Sequence, residues 1–116
     1  MKYAATKDMN KFKSEALEQA DRWFAARRAS LLGPNADIHR AKFLEASSRE
    51  GAGSIIRTEA KFKGMSTEEL AQEVWVRGIE SQAQLGALER ERQEMQVKIR
   101  SAECPADLSK IMKGVL

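Results

Sequence analysis

A chain of 116 residues suits one domain with a modest core. It is 42% hydrophobic and 32% charged but only 6% aromatic, with two prolines and seven glycines, which favours helices over an aliphatic core and disfavours a β-sandwich. A net charge of +3 is too small for a histone-like polycation, the single cysteine excludes an intrachain disulfide, and no stretch approaches the ~18 apolar residues of a membrane span.

The first expected helix runs from about Lys7 to Leu32, capped by Thr6 or Asp8. Phe12, Ala16, Ala20, Trp23 and Leu31 recur near helical spacing, and Leu17 and Phe24 widen the stripe. Gly33-Pro34 ends it, since glycine accepts the left-handed turn after a helix and proline cannot continue one. A shorter helix over Asp37–Arg49 follows, capped by Asn35 or Asp37, with Ile38, Ala41 and Leu44 as its apolar face and Phe43 at the edge. Residues 50–53, with Gly51 and Gly53, read as a flexible break. Residues 54–63 alternate as a strand does (Ile56, Thr58, Ala60, Phe62), yet Ile55, Glu59 and Phe62 also fit a short helix capped by Ser54. With no partner strand in sight, helix or irregular structure is favoured.

Ser66-Thr67-Glu68-Glu69 is a capping box and opens a long helix to about Ala102. Glutamates in that first turn also suit the helix dipole. Val74, Ser81, Leu88, Met95 and Ala102 define one seam line, and Gly78, Leu85, Arg92 and Ile99 the other, with coiled-coil-like spacing. Trp75, Val76 and Ile79 add apolar surface to the first half. The segment Glu89–Arg100 is expected to be more solvated, with Glu89–Arg92 and Glu94–Lys98 neighbours available for ion pairing. A last short helix starts at Pro105 and carries Leu108, Ile111, Met112 and Val115 on its apolar face.

These elements imply an all-α protein, a small helical bundle with one long helix in its C-terminal half and a short terminal helix. The expected organisation is a single helical domain, 1–116, in which 1–53 form a basic helical hairpin and 64–116 the long helix plus its short successor. Residues 1–63 hold 13 Lys/Arg against 8 Asp/Glu, and 64–116 hold 7 against 9, so the front is basic and the back slightly acidic. The N-terminal segment lacks the apolar run of a signal peptide, and the expected location is cytoplasmic, or the host cytoplasm or virion for a viral protein.

No residue pattern calls for catalysis. The single His39 and the single Cys104 lie far apart in sequence and fall short of a zinc set, which needs three or four ligands. No phosphate loop, nucleophile elbow or calcium loop is present, and Glu68, Glu69 and Glu73 read as a capped, solvated helix start in preference to a cation site. No catalytic residue, metal or cofactor is expected. Arg22, Arg27, Arg28, Arg40, Lys42 and Arg49 form a candidate anion or nucleic-acid face, but Asp21, Glu45 and Glu50 lie among them, and a solvated or salt-bridged surface is the preferred reading. The apolar stripe of the long helix is either a bundle core or a seam for a partner helix, and self-association into a homo-oligomer is favoured.

The segment Leu88-Glu89-Arg90-Glu91-Arg92, continuing at Ile99-Arg100-Ser101-Ala102-Glu103-Cys104-Pro105-Ala106-Asp107-Leu108, resembles the C-terminal pattern of small tailed-phage tail-gene proteins. In those a charged helix stops at Ile-x-x-Ala and a short acid- and leucine-containing helix follows. Cys104 stands where a threonine or serine is more usual. The resemblance implies a non-enzymatic assembly factor of the tail assembly chaperone kind, whose partner is a hydrophobic or coiled-coil segment of another protein. The partner-binding candidates are Leu70, Val74, Trp75, Ile79, Leu85 and Leu88. The competing readings are a nucleic-acid-binding accessory protein acting through the basic first half, and a small inhibitor of a host enzyme.

Overall fold

The computed structural model describes Lys2–Val115, with side chains described from Asp8 onward. Among these residues there are five helices and no strand: α1 (Lys2–Leu32), α2 (Ala36–Ser47), α3 (Ser54–Lys63), α4 (Thr67–Ser101) and α5 (Pro105–Met112). The all-α class, the long helix and the short terminal helix are as expected. No helix among the described residues is long and apolar enough to cross a membrane.

The chain forms two compact units, Met1–Ser30 with Gly86–Leu116 (the terminal unit) and Leu31–Leu85 (the central unit). These units cut across the expected division into 1–53 and 64–116. The first helix and the end of the long helix pair across most of the chain, and such long-range pairing leaves no local signature.

In the terminal unit, Ala16, Ala20, Ile99, Ala102, Leu108, Met112 and Val115 form a buried cluster, joined by Met9, Leu17, Trp23, Met95 and Ile111. Ala16 and Ala20 sit a turn apart on α1, and small residues there let a neighbouring helix approach closely. Polar ties fix the same pairing. The Lys13 ammonium donates to the Arg100 carbonyl at 2.7 Å, satisfying an orphan acceptor in the last turn of α4. Arg92 grips Glu89 through two bonds of 2.8 and 2.6 Å and reaches Asp21 of α1 at 3.3 Å. The expected solvated segment Glu89–Arg100 is therefore corrected: Ile99 is 0% exposed and Met95 packs on the cluster, because α1 and α5 cover that side. Glu94 pairs with Arg90 at 3.1 Å, one turn earlier than the expected Lys98.

Helix boundaries follow local chemistry. Because α1 begins at Lys2, Asp8 lies inside the helix and does not cap it, while the Thr6 side chain lies outside the described residues. Gly33, at φ 73°, follows its end as expected. Asn35 occupies the N-cap position of α2 but makes no side-chain cap bond. Of the capping box expected at α4 the hydroxyl half is formed: Ser66 accepts from the Glu69 N–H at 3.1 Å, while the Glu69 carboxylate takes the Ser66 hydroxyl at 3.2 Å in place of the Ser66 backbone N–H. Pro105 opens α5 at its first position.

The central unit has a smaller core of Ile56, Ala60 and Leu70, flanked by Ala46, Ala52, Met65, Ala71 and Val74. Residues 54–63 are a regular helix whose inward pair is Ile56 and Ala60; Ile55 and Phe62 point away. Its cap is not Ser54, which is already helical, but Glu45 of α2. That carboxylate accepts from the Ile55 and Ile56 N–H groups at 3.2 and 3.0 Å. Such a bond satisfies the free donors of a helix start and suits its positive end. Gly53 is needed for this approach, since a Cβ there would lie 2.6 Å from the Glu45 carboxyl carbon. The expected apolar face of α2 is also corrected. Ile38 and Leu44 are exposed and Ala41 is half-buried, while Lys42, Phe43, Glu45 and Ala46 are also half-buried, because α2 is held by an ion pair, a cap, a ring and the contact of Ala46 with the core.

Candidate interaction surface

The first half of α4 presents apolar residues on two sides. The seam side is turned inward along the whole helix: Val74, Gly78, Ser81, Leu85, Leu88, Arg92, Met95, Ile99 and Ala102 are all buried or half-buried. The 4-then-3 spacing thus records packing within this chain. On the other side Trp75, Val76 and Ile79 are exposed, together with Gln72 and Ala83. At 100° per residue these fall within one sector, with Glu69, Glu73 and Glu80 along one edge and Glu68 at its N-terminal end.

Trp75 is fixed by Phe43 of α2. Their rings stack with centroids 5.3 Å apart and planes 8° from parallel. Phe43 reaches this position because Gly78 lies one turn further along α4; a Cβ at Gly78 would run into the Phe43 ring. The glycine is an unfavourable helix residue by about 1 kcal/mol relative to alanine, so its use here marks a backbone that must be approached closely. One face of Trp75 is thereby covered by Phe43, and the residue is still 38% exposed.

The partner-binding candidates from the sequence separate into two groups. Leu70 and Leu88 are buried and Val74 and Leu85 half-buried, so all four serve packing within the chain; Trp75 and Ile79 stand on the surface. A second exposed stripe was not singled out from sequence. Phe62 is 90% exposed on α3, two turns from exposed Ile55, with exposed Thr58 on the same face and Lys61 beyond it. Its signal is an apolar residue between cations, Lys61-Phe62-Lys63, on a helix already supplied with an inner face. On the other edge Glu59 takes Lys63 at 2.9 Å and Lys42 at 3.1 Å. The bond from Lys63 is the main reason its carboxyl titrates below the ordinary range, with Lys42 adding to the effect.

The basic candidates divide between the two units. Arg22, Arg27 and Arg28 are exposed at different angles around α1 in the terminal unit, where Arg27 lies over the Trp23 ring at 5.6 Å. Arg40, Lys42 and Arg49 belong to the central unit, and Lys42 is engaged with Glu59. In the terminal unit the Glu89 carboxyl is held at about 2 by hydrogen bonds from Arg92 and then Gln93, and the same pairing pushes Arg92 up.

His39 and Cys104 are both exposed and belong to different units. Among the described residues no group of three or more His, Cys, Asp or Glu side chains comes together to hold a metal. Compared with family models, curated proteins and solved structures, the chain matches none.

Proposed function

We propose that the protein is a non-enzymatic structural or assembly adaptor that engages a partner helix through the outer face of α4, centred on Trp75, Val76 and Ile79. The observation that supports this reading is the separation of the two sides of α4. The seam is consumed by the chain's own packing, yet a second apolar side is left in solvent and is held in place by the Phe43–Trp75 stack. A large aromatic, pre-positioned and partly exposed beside aliphatic residues, is the usual anchor of a protein interface. The likeness of residues 88–108 to small tailed-phage tail-gene proteins suggests tail morphogenesis as the setting.

The test is affinity capture from the producing cells with wild-type and Ile79→Asp baits whose circular dichroism and melting agree. A partner retained by the wild type at high salt and lost with Ile79→Asp supports the reading. A partner lost instead on raising the salt, and indifferent to Ile79→Asp, points to phosphate-driven binding and contradicts it.

A further inference from the structure

Helix α2 is joined to the central unit in a different way from α3 and α4. None of its residues is buried, and Ile38 and Leu44 face solvent. The core residues Ile56, Ala60 and Leu70 come from α3 and α4, and the share of α2 is Ala46 at the edge. Its other ties are the Lys42–Glu59 ion pair at 3.1 Å, the Glu45 carboxylate on the Ile55 and Ile56 N–H groups, and the Phe43 ring stacked on Trp75 over Gly78. Each group that α2 would release has another partner at hand. Glu59 keeps Lys63 of its own helix at 2.9 Å. The α3 amides are the free donors of a helix start, which water can satisfy. Trp75 is already 38% exposed. The chain on either side of α2 passes through a left-handed glycine, Gly33 at φ 73° and Gly51 at φ 90°, and glycine leaves it free to turn once α2 lets go.

We propose that α2 is a strap that lifts from α3 and α4 as one piece while the Ile56–Ala60–Leu70 core stays closed, with Phe43 as the clasp that seats it. A helix of 12 residues is marginal by itself in water, so α2 melts as it lifts. The lifted form is a minor state, populated at about 0.1–10%. In the closed form the Phe43 ring holds Trp75 in one orientation and fills the room that Gly78 leaves. In the lifted form both faces of Trp75 meet solvent and the α4 backbone at Gly78 is bare. Trp75 thus has a held and a released state, and whatever tightens or loosens α2 sets the balance between them. This device goes beyond the adaptor reading and does not depend on it, since α2 lifts whether or not α4 engages a partner.

The experiment is native-state amide hydrogen exchange, read by NMR on the full chain as urea is raised below the unfolding transition. The amides of residues 40–47 should exchange through one shared opening and be protected at least about tenfold less than residues 73–77 of α4. The Ile56 amide, although on α3, should follow that same opening because its acceptor is Glu45. Phe43→Ala should speed residues 40–47 and Ile56 by a further factor of about ten and leave residues 73–77 unchanged. Complete loss of protection at 40–47 with 73–77 still protected supports the proposal equally, since the core has then stayed closed. Leu44→Ala, on the solvent side of α2, is the control and should alter these rates by less than about threefold. In a Trp23→Phe background, Phe43→Ala should also open Trp75 to acrylamide. The proposal is overturned if residues 40–47 exchange only together with 73–77 in global unfolding, or if Ile56 follows α4 instead of α2. It is overturned as well if Phe43→Ala speeds both sets alike, or if Leu44→Ala acts as strongly as Phe43→Ala. Capture that ignores Ile79→Asp would defeat the adaptor reading and leave these rates as they are.

Discussion

The two compact units use the same kinds of residue to different ends. The terminal unit packs α1, the end of α4 and α5 around Ile99, and its polar residues at the seam are spent on ties such as Arg92 with Glu89 and Asp21. The central unit buries a core of only Ile56, Ala60 and Leu70 while Ile38, Leu44, Phe62, Trp75, Val76 and Ile79 stay exposed. Scattered surface apolar residues are ordinary; apolar stripes with charged edges on regular helices mark places where something docks. Under the proposed function, the terminal unit holds the fold and the central unit meets a partner.

The sharpest way to break that contrast is truncation of one isoleucine in each unit. Ile99→Ala should destabilise the chain by about 2–5 kcal/mol in urea unfolding, as expected for a fully buried aliphatic. Ile79→Ala on the exposed stripe should fall within about 0.5 kcal/mol of the wild type. Equal losses would abolish the distinction. Gly78→Ala comes next. The gain in helix propensity is about 1 kcal/mol, but the new Cβ meets Phe43, and overpacking of this kind costs about 1–3 kcal/mol. In a Phe43→Ala background the clash is gone and Gly78→Ala should stabilise. A double-mutant cycle measures the coupling.

Glu45→Ala removes the carboxylate that caps α3 from α2. A loss of about 1 kcal/mol is expected, with faster hydrogen exchange at the Ile55 and Ile56 amides and little change in α5. The smallest effect concerns acid. Glu89 titrates at about 2 in the folded chain against an ordinary 4.5, so its contribution is complete above 4.5 and is lost as pH falls from there toward 2. Arg92→Gln should flatten part of that acid-side slope in thermal melts. Since the pair is on the surface, salt should reduce the difference.

Much of this fold was legible in the sequence, for identifiable reasons. The capping box at Ser66–Glu69, the stop at Gly33 and the restart at Pro105 are local signals, and the helices begin or end there. The seam from Val74 to Ala102 was visible as periodicity, but periodicity does not say whether the covering helix belongs to the same chain. That left Leu70, Leu85 and Leu88 grouped with Trp75 and Ile79, although only the latter two face outward. Other features depended on tertiary placement. Glu45 caps a helix that is not its own, and Gly78 serves the Phe43 ring of another helix; neither has a sequence-local cause. The face of α2 was misread in part because a helix can be held by an ion pair, a cap, one stacked ring and the contact of a single alanine, Ala46, with the core, with no fully buried residue of its own.

Each unit contains one tryptophan, Trp23 in the terminal unit and Trp75 in the central one, and this permits the most direct test of the contrast. Trp23→Phe leaves Trp75 as the only reporter, and Trp75→Phe leaves Trp23. Acrylamide quenching of each is then followed as the partner captured by the wild-type protein is added. The prediction is that Trp75 becomes progressively protected while Trp23 keeps the same quenching constant. Protection of Trp23 instead, or none at Trp75 with the partner bound, would contradict the proposal that the central unit's outer face is the interaction surface.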